Sequence, residues 1–170
     1  MKKPRFSKKS KVFYGYWMVA VTFLCLLVMS GAGNFVYSLF VKPLEADFGW
    51  NHGDIMIGFT IFFGMMGVAS PIVGRIVDRH GARTVIPAGA LVMGLGFLLL
   101  SLMNELYLFY FAYVLVGTGA AAMGVVPASA VVSNWFRRKR GTAIGLMSAG
   151  IGAGGLILSP IVGYLIPHLG

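Results

Sequence analysis

The densest chemistry in this sequence is a ten-residue stretch, GRIVDRHGAR, at positions 74–83. It sets one carboxylate, Asp78, among the guanidinium groups of Arg75, Arg79 and Arg83, with Gly74 and Gly81 to either side. If a helix ends here, Asp78 lies near its C-terminus, where the macrodipole disfavours an anion. Such an aspartate needs a compensating partner, an arginine or the N-terminus of another helix. Gly81 permits the sharp reversal that must follow, and Gly74 would let neighbouring helices approach. One carboxylate and several arginines on a turn make an ion-pair latch, not an acid–base couple.

Elsewhere the sequence is bare of catalytic groupings. His52, His80 and His168 are not spaced with another ligand, and the single Cys25 has no intramolecular partner. No two carboxylates share a helix face, so neither a catalytic residue, a metal site nor a cofactor is expected. GIGAGG at 150–155 and GTGAAA at 117–122 match the dinucleotide fingerprint in letters. That fingerprint needs a preceding strand and an acidic residue about 20 positions later. Both matches lie in apolar runs, and no acid follows Glu105. A further polar feature is a stripe, Ser30, Gly31, Asn34, Tyr37 and Ser38, within an arc of about 120° on a helical wheel, with Phe35 at its edge. A stripe of this kind suits a cavity wall, and equally a helix contact held by hydrogen bonds.

The elements that would position these residues follow from composition. The chain is 58% hydrophobic and 11% charged, with a mean hydropathy of +0.82; a soluble domain carries about a quarter charged residues. Five uncharged runs, 12–41, 55–74, 84–104, 106–136 and 141–170, are each 20 to 31 residues long. A bilayer core needs about 20 apolar residues of helix. Backbone groups in lipid must pair internally, and the runs lack the alternation of barrel strands. The fold class expected is all-α, a polytopic membrane bundle over 13–170 with helices at about 16–41, 55–77, 84–103, 106–133 and 142–166. Between the first two, KPLEADFGWNHGD reads as an outer loop, with Asp54 placed to cap the second helix.

Charge orients the bundle. Thirteen of the fourteen basic residues fall in the segment 1–12, the 74–83 turn and the run Arg137, Arg138, Lys139, Arg140; Lys42 alone lies opposite, with Glu45, Asp47, Asp54 and Glu105. The positive-inside rule puts the basic segments in the cytoplasm of a multi-pass cell-membrane protein. The same distribution accounts for the net charge of +9 without a nucleic-acid partner.

GRIVDRHGAR resembles the G-x-x-x-D-R-x-G-R-R/K motif of the major facilitator superfamily, with Ala82 where an arginine is usual and Arg83 in the last place. NWFRRKRGTAIGLMSAGIGAGG, at 134–155, resembles the helix 4–5 segment of the monocarboxylate transporter and oxalate/formate antiporter branch. Its aromatic pair is Trp135 and Phe136, its basic cluster includes Arg137, Arg138 and Arg140, and its Gly/Ala-rich helix opens with Gly141 and Gly145. YGYW at 14–17 and NFVYSLF at 34–40 are similar to that branch too. The resemblance implies two six-helix halves that rock about one site and carry small organic anions such as mono- or dicarboxylates, without a cofactor. Asn34, Phe35, Tyr37 and Ser38 become the candidate cavity residues, and Gly74, Asp78, Arg79, Gly81 and Arg83 the cytoplasmic latch. Phe35 stands where some monocarboxylate carriers place a lysine, so a proton-coupled lactate mechanism is not carried over. On this reading the chain is the first five helices of an N-terminal half, and the C-terminal half, where the antiporter branch keeps its cationic substrate-binding residues, is absent as a fragment or truncation. Alone it is not expected to transport. The alternatives are a non-transporting assembly or scaffold subunit, and a drug or sugar carrier of the same superfamily.

Overall fold

The computed structural model describes residues 14–35, 37–136 and 140–169. Among these residues seven α-helices follow one another: α1 Tyr14–Ser30, α2 Tyr37–Phe48, α3 His52–His80, α4 Ala82–Ser101, α5 Leu106–Met123, α6 Val125–Trp135 and α7 Arg140–Leu169. A π-helical turn, Gly31–Phe35, follows α1. There is no strand among the described residues. Among the described residues four stretches are long and apolar enough to cross a membrane: His52–His80, Ala82–Ser101, Leu106–Asn134 and Arg140–Leu165.

The α5–α6 path is the centre of the bundle. Half (50%) of its most apolar stretch is buried, against 22% for α3, 22% for α4 and 17% for α7. Phe109, Val116 and Val132 on it are fully enclosed, together with Leu26 of α1, Ile55 and Phe62 of α3 and Met147 of α7. The other helices leave apolar faces uncovered. Leu91, Leu95 and Leu98 of α4 and Leu102, which caps its C-terminus, form one stripe, each more than half exposed, the spacing of a helix side turned to lipid.

Three helix pairs, α4 with α5, α3 with α5 and α1 with α7, pack backbone to backbone over glycine. Lipid tails are as apolar as leucine, so contact between membrane helices depends on close fit and not on water exclusion. A Cβ on Gly119 would stand 2.6 Å from the Met93 nitrogen, and one on Gly150 would stand 2.5 Å from the Phe23 carbonyl oxygen. Gly154 lies against Leu27 and Gly31 in the same way. Gly64, Gly67, Gly94, Gly145 and Gly152 have open space at that position. They lie on faces the described helices do not cover.

Three boundaries differ from expectation. The first helical path does not end near Val41 but continues as α2 to Phe48 with Pro43 inside it, because Val41 and Leu44 are buried and draw the backbone on. Asp54 is not the cap of the next helix; Asn51 holds that position, and Asp54 sits in the first turn, where the macrodipole favours an anion. The path 106–133 is two helices, parted at Gly124 (φ −70°, ψ −166°). Pro127, three residues on, has no N–H to offer the Met123 carbonyl, so the regular ladder fails there.

Candidate functional site

The 74–83 turn is anchored by its apolar residues. Val73 and Val77 of α3, Ala82 and Val85 of α4 and Ala121 of α5 are buried in one small cluster. The reversal between α3 and α4 takes a single residue, Gly81, at φ +79°, a region that disfavours any side chain with a Cβ. Its N–H donates to the Val77 carbonyl at 2.8 Å. Asp78, Arg79 and Arg83 are all exposed, and among the described residues none of them forms an ion pair. Holding long charged side chains together in water brings little gain, so these side chains remain unjoined. Gly74 is not a tight contact: a Cβ there would meet only Val126 Cγ1, at 3.7 Å.

In the 134–155 segment, Phe136 ends α6 and packs partly buried against the core, its N–H donating to the Val132 carbonyl at 3.0 Å. Arg140 opens α7 and is exposed, as are Gly141 and Gly145, which have free space around them. Arg137, Arg138 and the side chain of Trp135 lie outside the described residues.

The polar stripe divides in two. Ser30 is fully buried and donates to the Ile151 carbonyl of α7 at 3.0 Å. The Tyr37 ring is buried, stacked on Phe59 (centroids 4.6 Å apart) and edge-on to Tyr113, and its hydroxyl donates to the Ile55 carbonyl of α3. These two hydroxyls tie helices together. Ser38 is exposed and donates to the Phe35 carbonyl at 2.9 Å. Phe35 is 43% exposed and lies across Gly155 of α7, within 2.9 Å of where a Cβ would stand. Asn34 is in the π-turn, and its side chain is outside the described residues.

Sequence reasoning missed two features. The Nδ1 of His52 lies 2.7 Å from the Glu45 Oε1, a pair across the short connection between α2 and α3. No helical spacing signals it, because Gly49 (φ +64°) turns the chain between the two residues. The other is that the end of α1, just before the π-turn, lies against the break at Gly124. Met29, two residues before the π-turn, has its Cε 3.4 Å from where a Gly124 Cβ would stand. Broken helices are tolerated at membrane depth where backbone is buried in protein or lines a cavity, and paired interruptions mark the binding region of many carriers.

Long apolar helices in alternating directions, two of them interrupted where they meet, define a polytopic α-helical membrane protein. The chain belongs to the Major Facilitator Superfamily, whose family model matches residues 22–170. It is 34% identical over 106 residues to an MFS-type transporter of Gibberella moniliformis, covering 62% of this chain and 26% of that protein. It is 24% identical over 168 residues to the oxalate:formate antiporter of Oxalobacter formigenes, covering 98% of this chain and 40% of the antiporter. With monocarboxylate transporter 3 of Mus musculus it shares 32% identity over 150 residues, 86% of this chain and 30% of the mouse protein. The chain thus spans between about a quarter and two fifths of these relatives.

Proposed function

We propose that this chain is part of a secondary carrier of small organic anions, mono- or dicarboxylates, that works by alternating access. The meeting of the two interrupted helices at Met29 and Gly124 carries this reading. A break in the backbone ladder gives each helix a place to bend, and two breaks on helices that pack together would let the bends occur together. The solute class follows from the likeness to an oxalate:formate antiporter and a monocarboxylate transporter. In this reading Phe35 and Ser38, with Asn34 beside them, face the path, while Tyr37 holds α2 against α3. The 134–155 segment sets α7 beside α1, with its basic residues at the cytoplasmic surface. Asp78, Arg79 and Arg83 close the cytoplasmic side by pairing with groups outside this chain, which fits their exposure and lack of internal partners. The uncovered glycine faces of α3 and α7, Gly64 with Gly67 and Gly145 with Gly152, are where a second half would approach.

Purified protein containing all twelve expected helices, reconstituted in vesicles preloaded with oxalate, is expected to accumulate radiolabelled oxalate or formate by exchange. Vesicles that exchange neither of these nor any of a panel of monocarboxylates would overturn the reading. A second reading, export of a larger metabolite, is favoured by 30% identity over 159 residues to a fujikurins efflux protein of Gibberella fujikuroi. It predicts that the same vesicles move an apolar metabolite and ignore carboxylates.

A further inference from the structure

Between the end of α2 and the start of α3 lies a groove of about 510 Å³. Tyr37 and Phe59 form its apolar floor, and Ser38, Lys42, Glu45 and His52 stand around it. Lys42 is the one basic residue of fourteen that falls on the acidic side of the bundle. It is exposed, one turn beyond Ser38 and three residues before Glu45 on the same helix. Residues three apart on a helix are neighbours, so Glu45 is the natural partner for Lys42. The structure joins Glu45 to His52 instead, at 2.7 Å, and Lys42 has no carboxylate within ion-pair distance among the described residues.

We propose that Lys42 draws anionic solutes into this groove, and that His52, by holding Glu45, keeps the Lys42 ammonium free to do so. The proposal rests on the organic-anion reading above and adds the residue that first meets the solute. An ammonium above an apolar floor focuses its field into the groove and raises the local concentration of anions. Were Glu45 to turn to Lys42, the two charges would cancel at the mouth and the attraction would be lost. His52 is therefore a positioning residue, acting through Glu45.

The test uses the full-length protein in membranes, with every native cysteine, Cys25 included, replaced by alanine and Ser38→Cys placing one thiol at the groove. Its rates of reaction are measured with an anionic sulfonatoethyl and a cationic trimethylammonioethyl methanethiosulfonate. Adding Lys42→Gln is expected to lower the anionic-to-cationic rate ratio about two- to fivefold, the range of one exposed charge interaction. His52→Ala is expected to lower it in the same direction, and to have no effect once Glu45→Gln is present. A ratio unmoved by Lys42→Gln overturns the proposal. A His52→Ala effect that persists beside Glu45→Gln overturns the positioning role, since the imidazole would then act on the anion directly. In oxalate uptake, Lys42→Gln in the otherwise unaltered protein should raise KM by a similar factor and leave Vmax unchanged. A wild-type protein that carries no carboxylate would overturn the organic-anion reading alone, because the thiol rates read the field at Lys42 without any transport.

Discussion

A tyrosine hydroxyl on an apolar helix can face a water-filled path or tie two helices together, and at Tyr37 the tie is the one made. The ring lines the groove, but the hydroxyl is spent on the Ile55 carbonyl. A proton already donated inside the bundle is not available to a solute. Tyr37→Phe should therefore cost about 0.6 kcal/mol of stability, the mean for a hydrogen bond between membrane helices, and leave the KM for oxalate unchanged. Denaturant unfolding in detergent and uptake kinetics measure the two effects separately; a raised KM with unaltered stability would return the hydroxyl to the solute path. Glycines divide on the same principle. At Gly119 a methyl group would run into the Met93 nitrogen and the Gly89 oxygen, at 2.6 and 2.8 Å, and backbone atoms cannot step aside. Gly119→Ala should cost about 1–3 kcal/mol, as other overpacking does. Gly94, with nothing within 4 Å, should accept alanine with a change under about 1 kcal/mol, of stabilising sign. Thermal unfolding of the two variants side by side decides it, and equal losses would mean that Gly94 is covered.

The interrupted helices argue at the scale of the element. Gly124→Ala with Pro127→Ala restores the missing N–H and removes the residue at the break, so α5 and α6 can close into one helix. If the break exists for motion, the double variant should unfold at the same or higher temperature yet exchange oxalate several-fold more slowly. A faster or unchanged turnover would show that the interruption is only a packing accommodation. This is also where the sequence was least informative. Uncharged runs long enough to span lipid marked where helices had to be, and Gly81 marked the reversal between α3 and α4, because length and positive φ are properties of a few residues in order. The break at Gly124 had a visible cause in Pro127, but an apolar run hides it: hydropathy counts side chains and is blind to a missing N–H. The π-turn at Gly31–Phe35 has no proline to announce it. Its position is where Gly31 and Gly33 meet Leu158 and Phe62 on two other helices, information that exists only once the bundle is assembled. The Glu45–His52 pair was hidden for the same reason, since it depends on α2 persisting to Phe48.

For the whole molecule, the ends of the bundle carry different charge. Arg83 shares a groove with Trp17 at the start of α1. At the opposite end, the Tyr110 hydroxyl donates to the Asp54 carbonyl, which holds the starts of α3 and α5 side by side near Glu105. Arg75, Arg79 and Arg140 thus share an end with the start of α1, and Lys42, Glu45, Asp54 and Glu105 share the other. Cations near the ends of membrane helices are retained in the cytoplasm during insertion, and acids contribute little. The end bearing Arg79 is therefore expected inside and the end bearing Glu105 outside. In a background with every native cysteine, Cys25 included, replaced by alanine, Glu105→Cys should react with a membrane-impermeant maleimide on intact cells, and Arg79→Cys only after permeabilisation. Removing one arginine leaves the others of its end in place, so the substitution does not itself invert the protein. The reverse pattern would overturn the orientation, and with it the cytoplasmic placing of the Asp78 latch. If both thiols reacted on intact cells, the helices between them would not be crossing the bilayer as a bundle, and an exposed Lys42 would have no separate compartment from which to gather anions.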